Sequence, residues 1–272
     1  HYDEYAKDIV ENYNIEKDSL VVDLGSNDGS MLASFKKQGM NVVGVEPASL
    51  IADYASQSGI KTINDYFSDR VVSQIVADYG KADVITANYM FANIDNIVDF
   101  TKSVESLLAE NGIFVVETGY HPEQFKIKMF DYIYHEHFSY FTVGVFNYLF
   151  DQCGLKMIDV QKTKPKGGSI RVVIQKYSGS RETLPSVSMT INDEKESSIY
   201  EIETYREFSN SLQELKSELI KLLKSIKEKG QSVVAFGASH STTTLIYHFE
   251  LGDYIDYIVD DNEAKHGLYS PG

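Results

Sequence analysis

The 272-residue chain is 43% hydrophobic and 24% charged, a composition that supports a packed core and excludes global disorder. Forty acidic against twenty-five basic residues leave a formal charge of -15, which argues against a nucleic-acid partner held on a broad basic face, though a helix N-terminus can still hold a small anion. A single cysteine, Cys153, excludes an internal disulfide and a multi-cysteine zinc site, and no apolar run approaches the ~20 residues that cross a bilayer.

Charges interrupt His1 to Glu11 and no apolar stretch follows, so no signal peptide is expected and the expected location is cytoplasmic. Short apolar runs then alternate with amphipathic stretches, the pattern of a parallel α/β sheet. Strands are expected over 20–24, 42–45, 62–63, 84–87 and 113–116, with helices over about 30–38 and 94–109, the second stopped by Asn111-Gly112. Tyr120 to Tyr140 is rich in aromatics and histidines and has no clean period. A helix over 146–153 ends at Gly154, and two β-rich runs, 156–162 and 169–177, are expected to pair as a hairpin at the sheet edge around Gly167-Gly168.

Ser178 to Asp193, with Gly179 and Pro185 among many Ser and Thr, reads as a connector. Ile202, Tyr205, Phe208, Leu212, Leu215, Leu219, Leu222 and Ile226 recur at threes and fours, so a long helix closed by Gly230 is expected to bury this stripe in a core or helix–helix seam. A small βαβ unit follows: a strand over 232–236 ending at Gly237-Ala238, a helix from Thr242, and a strand over 255–259 ending in Asp260-Asp261-Asn262. The expected domains are 1–178, 179–230 and 231–272. The last unit stops where a third element is expected, which points to an excerpt or an unusually short unit.

The strongest local motif is Asp23-Leu24-Gly25-Ser26-Asn27-Asp28-Gly29-Ser30, an Asp-x-Gly-x-x-x-Gly turn from strand to helix. Gly25 and Gly29 allow a sharp bend and close approach to a ligand. Glu46 ends the next strand, 21 residues beyond Gly25, where an acid can accept both ribose hydroxyls. Asn27 and Ser30 occupy the places of the second and third glycines of a dinucleotide site. The spacing resembles the first motif of class I S-adenosylmethionine-dependent methyltransferases. That resemblance implies a Rossmann-like sheet, S-adenosylmethionine as cofactor, and a site formed by Asp23, Gly25, Ser26, Asn27, Gly29, Glu46 and Asn88, with Asp65 and Phe67 of the Asn64–Phe67 stretch at adenine.

Tyr134-His135-Glu136-His137 sits among aromatics after the fifth strand, toward the sheet edge where α/β ligands bind. Histidine takes a proton near neutral pH, tyrosine donates to a developing oxyanion, and glutamate orients an imidazole. An extended chain would put His135 and His137 on one face; a helical one would bring Tyr134 to His137. A metal at His-x-His is the rival, but no third ligand is spaced with it, so no metal is expected. Tyr120, Tyr132, Tyr134 and Tyr140 either line a cleft or pack a domain junction.

Together, Asp23–Gly29, Gly44-Val45-Glu46-Pro47, Tyr134–Phe141, Gly237-Ala238, Val259–Asn262, Lys265, Gly267–Tyr269 and Pro271-Gly272 resemble the nucleotide-sugar C-methyltransferases of deoxysugar pathways over nearly the whole chain. The resemblance implies methylation of a carbon beside a keto group on a nucleotide-linked 4-keto-6-deoxyhexose. It implies His137 as general base, Tyr134 and Glu136 as flanking catalytic residues, and Arg171 and Gly237 toward the substrate, where Asn93, Tyr120 and His240 are the further candidates. It also implies a Cys-rich zinc-binding domain before the core and a longer C-terminal domain, neither of which this sequence includes. Asn93 stands where the family has a histidine, and Ser239-His240-Ser241 where its motif continues to a lysine. Sugar O-methylation, or a binding protein that keeps the fold without turnover, are the alternatives these departures leave open.

Overall fold

The computed structural model describes residues 2–271, which form two compact units. The first runs to Tyr120 and resumes over Phe138–Glu194; the second comprises His121–His137 and the chain from Lys195 onward.

The first unit is built on a seven-stranded sheet of β1 (Leu20–Leu24), β2 (Asn41–Val45), β3 (Thr62–Ile63), β4 (Ala82–Asn88), β5 (Leu108–Gly119), β6 (Leu155–Thr163) and β7 (Ser169–Lys176). Their order is β3-β2-β1-β4-β5-β7-β6. All are parallel except β7, which runs against both β5 and β6 and so places the expected hairpin at the sheet edge with its second strand inward. β1 is buried along its whole length, which explains why it reads as an apolar run without alternation. Successive residues still face opposite ways. Val22, Leu24, Ile85, Phe114 and Val116 pack on one side, against α4 (Asp69–Tyr79), α5 (Ile97–Leu107) and α7 (Val143–Gln152). Val21, Val84, Ile113, Val115 and Val173 pack on the other, against α1 (Tyr2–Asn12) and α2 (Ser30–Lys37). A further helix, α3 (Ser49–Gln57), links β2 to β3.

Between β4 and α5 a single turn, Phe91–Asn93, is nailed down by Phe91, whose ring centroid lies 5.5–6.2 Å from those of Phe100, Phe114, Phe141, Phe146 and Phe150. Burial of such a ring stabilises by about 2–3 kcal/mol, with a further increment from each edge or offset contact. The turn therefore holds its polar end, Asn93, in a fixed place.

The stretch expected as a connector contains a helix, α8 (Pro185–Glu196). Pro185 sits at its first position, where a missing N–H costs nothing, and Val187, Thr190 and Glu194 form its buried face. The Glu194 carboxylate accepts the α7 amides of Val143 (2.6 Å) and Gly144 (3.0 Å) and the Tyr120 hydroxyl (2.8 Å). It thereby satisfies orphan N–H groups at a helix start and meets the positive end of that helix. Serine and threonine content masked this helix because its inward face is partly polar.

The second unit holds α6 (His121–Lys126), α9 (Ile202–Glu228) and the βαβ unit of β8 (Val234–Phe236), α10 (His240–Phe249) and β9 (Tyr257–Val259), whose strands are parallel. Its core gathers Phe130, Leu212, Leu223, Ile246, Phe249 and Leu251. The α9 stripe is only partly buried. Leu212 and Leu223 are inside, while Ile202 and Leu222 are 65% and 57% exposed, so the expected continuous seam is reduced to a central contact.

Candidate active site

A cavity of about 1310 Å³ in the first unit opens at the carboxyl ends of β1, β2 and β4, where open α/β sheets bind ligands. The β1–α2 turn forms its floor. Gly25 has φ +69° and a Cβ there would sit 3.1 Å from Met90 Cγ; Gly29 has φ +79° and a Cβ would meet Ile60 at 3.0 Å. Both positions thus require glycine on conformational and steric grounds. The amides of Gly25 and Ser26 donate to the Val45 carbonyl (2.9 and 3.2 Å), tying the turn to β2.

Glu46 ties the turn to the next loop. Its Oε2 accepts the Asn27 amide (3.0 Å) and its Oε1 the Ala48 amide (2.9 Å). Asp23 is buried and accepts the Thr86 hydroxyl (2.6 Å). Burial pushes its carboxyl up to about 7 against that hydrogen bond, and the nearby Glu46 charge adds to the shift. On another wall Phe67 stands edge-on to Phe100 at 5.1 Å, and Asp65 accepts the Tyr66 amide (2.8 Å) and pairs with Arg70. Asn88 accepts the Tyr5 hydroxyl (3.1 Å) through Oδ1, while its Nδ2 is buried with no partner among the described residues. Asn93 reaches the cavity from its anchored turn. Asp23, Gly25, Ser26, Asn27, Glu46, Asp65, Phe67, Asn88 and Asn93 therefore line one cavity, with Gly29 shaping the turn behind it.

The donor set fits S-adenosylmethionine. A glycine turn leaves room at the backbone, a carboxylate is placed for ribose hydroxyls, an aromatic edge and Asp65 border a place for a base, and the acidic lining suits a cation.

Of the expected substrate residues, Asn93 alone lines this cavity; Gly237 and His240 belong to the second unit, and Tyr120 and Arg171 stand elsewhere in the first. Tyr120 is 1% exposed, with its hydroxyl on Glu194, and does not line the cavity. Arg171 is 5% exposed beneath it: Nε donates to Glu117 Oε2 (2.8 Å), and the guanidinium lies 3.9 Å from the Tyr5 ring centre. The family resemblance puts Arg171 toward the substrate, whereas the register of β7 on β5 places it directly opposite Glu117. The cavity in turn recruits Tyr5, Tyr89 and Lys166, which carried no spacing signal.

In the second unit the histidine segment adopts a turn, neither extended nor helical: the His137 amide donates to the Tyr134 carbonyl (3.1 Å). This brings the Tyr134 and His137 rings to 4.3 Å between centroids. His137 Nδ1 lies 3.1 Å from the Tyr132 carbonyl, which can only accept, so Nδ1 carries the proton and Nε2 the lone pair of the neutral ring. Burial, then the Glu136 charge, raises the Tyr134 phenol; burial pushes Tyr132 up to about 12. His240, at the start of α10, joins this group, with Nδ1 3.4 Å from Glu136 Oε1 and its ring 5.7 Å from that of Tyr134.

Gly237, φ +93°, ends β8 and donates to the Val259 carbonyl (2.8 Å). Beside it Asp260 accepts the amides of Asn262 and Ala238 and the Lys265 ammonium, which hold its carboxyl down at about 2. Among the described residues no cluster of three metal-ligating side chains occurs.

The methyltransferase domain family matches residues 1–160, and the C-methyltransferase C-terminal domain family matches residues 164–272. The C-methyltransferase NovU of Streptomyces niveus is 34% identical over 264 residues, covering 97% of this chain; the chain spans 63% of that relative's length. Among solved structures, an S-adenosylmethionine-dependent methyltransferase from Clostridium acetobutylicum is 11% identical with a TM-score of 0.51, over 66% of this chain and 91% of that one. The plantazolicin methyltransferase BpumL, solved with S-adenosylhomocysteine, is 12% identical with a TM-score of 0.50, over 64% and 87%. Both share the fold of the first unit's sheet. With its methyltransferase domain followed by a C-methyltransferase C-terminal domain, the chain belongs to the S-adenosylmethionine-dependent methyltransferase family.

Proposed function

We propose that the protein methylates a carbon beside the keto group of a nucleotide-linked 4-keto-6-deoxyhexose, with His137 as general base. When bound, S-adenosylmethionine supplies an electrophilic methyl group, and Asp23, Glu46, Asn88 and the Gly25–Gly29 turn would hold it. The observation that carries the catalytic half of the reading is the His137 Nδ1–Tyr132 carbonyl hydrogen bond, which leaves the proton-accepting lone pair on Nε2.

Such a base takes the proton from the carbon next to the ketone, and the electron pair of the broken C–H bond moves onto the ketone oxygen. A phenol whose pKa is raised remains protonated at neutral pH, so Tyr134 can donate its O–H to that developing enolate oxygen. Glu136 and His240 stand beside the pair as polar neighbours that orient it. The similarity to a curated C-methyltransferase supports carbon as the methylated atom.

The test is deuterium exchange. The wild-type protein with a nucleotide-linked 4-keto-6-deoxyhexose in heavy water is expected to exchange the proton next to the ketone, and His137→Ala to slow this by about 10²–10⁴-fold. Binding of S-adenosylhomocysteine should be unchanged in the variant. Exchange at the wild-type rate in His137→Ala would remove the base assignment. Methyl transfer without any exchangeable C–H would instead indicate an oxygen acceptor.

A further inference from the structure

In a cavity bordered by the carboxylates of Asp23, Asp28, Glu46, Asp65 and Glu117, the only basic side chain among the described lining residues is Lys166. It comes from the β6–β7 connection, where it precedes Gly167 and Gly168. Its backbone is left-handed, φ +52° and ψ +42°, a conformation that costs a side-chain-bearing residue about 1 kcal/mol relative to the right-handed one. Its Nζ lies 4.0 Å from the centre of the Tyr89 ring. Tyr89 is itself left-handed at φ +54°, just past β4, and its amide is fixed by the Glu117 carbonyl (2.7 Å). Its hydroxyl lies 3.2 Å from Glu117 Oε1 and 3.1 Å from Ser169 Oγ. Two bulky residues from separate strand ends thus both occupy a backbone region that favours glycine, and they meet face to face at one cavity wall. Strain of this kind persists where the surroundings over-determine it, and it gathers at ligand sites.

We propose that Lys166, held by the Tyr89 ring, is the anion-recognition point of this cavity and takes a carboxylate or phosphate group of the bound ligand. The proposal rests on the cavity being the cofactor site and adds the partner for a charge that the acidic lining would repel. S-adenosylmethionine brings such a group in its amino-acid carboxylate; a sugar nucleotide brings one in its diphosphate. The ring face holds the ammonium at the cavity wall by a cation–π contact. Lys166 is exposed as a residue, and the partial burial of its ammonium lowers its pKa only in part, so the charge stays open to an arriving anion.

Calorimetric titration of wild type, Lys166→Met and Lys166→Arg tests this, with S-adenosylhomocysteine, 5′-methylthioadenosine (which lacks the amino-acid portion) and nucleoside diphosphates as probes. A charge-assisted hydrogen bond corresponds to roughly 10-fold or more in affinity. Loss of that size in Lys166→Met for S-adenosylhomocysteine but not for 5′-methylthioadenosine, with recovery in Lys166→Arg, supports carboxylate recognition. The same loss confined to the nucleoside diphosphates supports phosphate recognition. Unchanged affinity for every probe, or equal weakening of S-adenosylhomocysteine and 5′-methylthioadenosine, overturns the proposal, because the side chain would then only shape the wall. A wild-type protein that binds no adenosyl ligand refutes the cofactor-site reading itself, a result distinguishable from the others by its appearance before any substitution.

Discussion

Replacing Arg171 with methionine should destabilise the fold rather than weaken substrate binding. The side chain keeps its volume but loses the positive charge that pairs with Glu117, whose own side chain is 2% exposed. Glu117 would retain the Tyr89 and Thr163 hydroxyls at 3.2 and 3.3 Å as neutral neighbours. Removing one partner of a buried pair costs about 3–5 kcal/mol, because the remaining charge is left uncompensated. The Arg171 guanidinium over Tyr5 adds a further fraction to the loss. At about 2–4 °C per kcal/mol for a unit of this size, the melting midpoint should fall by roughly 6–20 °C. Urea unfolding of Arg171→Met, Glu117→Gln and the double variant measures the coupling. Residues tied in one pair should show a double-variant cost well below the sum of the singles, by about 2 kcal/mol or more. A single-variant cost under about 1 kcal/mol, or simple additivity, would refute the structural role. A raised KM at an unchanged midpoint would return Arg171 to the substrate contact that the family resemblance implies.

Two further outcomes follow from the cavity at the carboxyl ends of the first unit's strands. Because the Asp23 carboxyl stands near 7 in the folded chain against about 3.9 when unfolded, the folded state binds the extra proton between those values, so stability from this group is greatest below pH 4 and declines as pH rises toward 7. Asp23→Asn should therefore be at least as stable as wild type at pH 8, with its advantage shrinking toward pH 4; a variant that loses stability at pH 8 contradicts the burial argument. Glu46→Gln keeps one acceptor for the Asn27 and Ala48 amides but turns an NH₂ toward the other, so S-adenosylhomocysteine affinity should drop about 10-fold or more with a folding cost of about 1–3 kcal/mol, and an unchanged calorimetric affinity would remove Glu46 from the ribose site.

The strands were legible wherever burial on both faces turns a sequence into an apolar run, as in Leu20–Leu24, and wherever a glycine marks the end of such a run. Lengths were shorter in sequence than in space because an irregular stretch carries no apolar signature: β5 begins at Leu108, well before Ile113, and Glu110, Asn111 and Gly112 belong to it as a register shift between the pairs Ala82–Leu108 and Val84–Ile113. α8 was hidden for the opposite reason. Its inward positions are Val187, Thr190 and Glu194, and only the three-dimensional arrangement reveals that Glu194 is buried to serve α7 amides and Tyr120. The α9 stripe was legible as a helix and misleading as a seam, because period reports which residues share a face, not how much of that face a partner covers.

The site divides along the same physical line. Gly25, Gly29 and Glu46 could be read at a distance because their roles are local: a turn that tolerates no Cβ, and an acid at the end of the adjacent strand. Arg171 could not, since whether an arginine meets substrate or a buried carboxylate depends on antiparallel register, and a one-residue slip of β7 on β5 would send its side chain to the opposite face. Tyr89 and Lys166 were invisible for a further reason: each looks like an ordinary loop residue until its φ is known. Left-handed tyrosine and lysine meeting across 4.0 Å are a departure from local preference made twice at the same place. When local preference and tertiary structure disagree at one residue, packing can explain it; when they disagree at two residues that touch each other and line the same cavity, the disagreement supports the binding role proposed for Lys166.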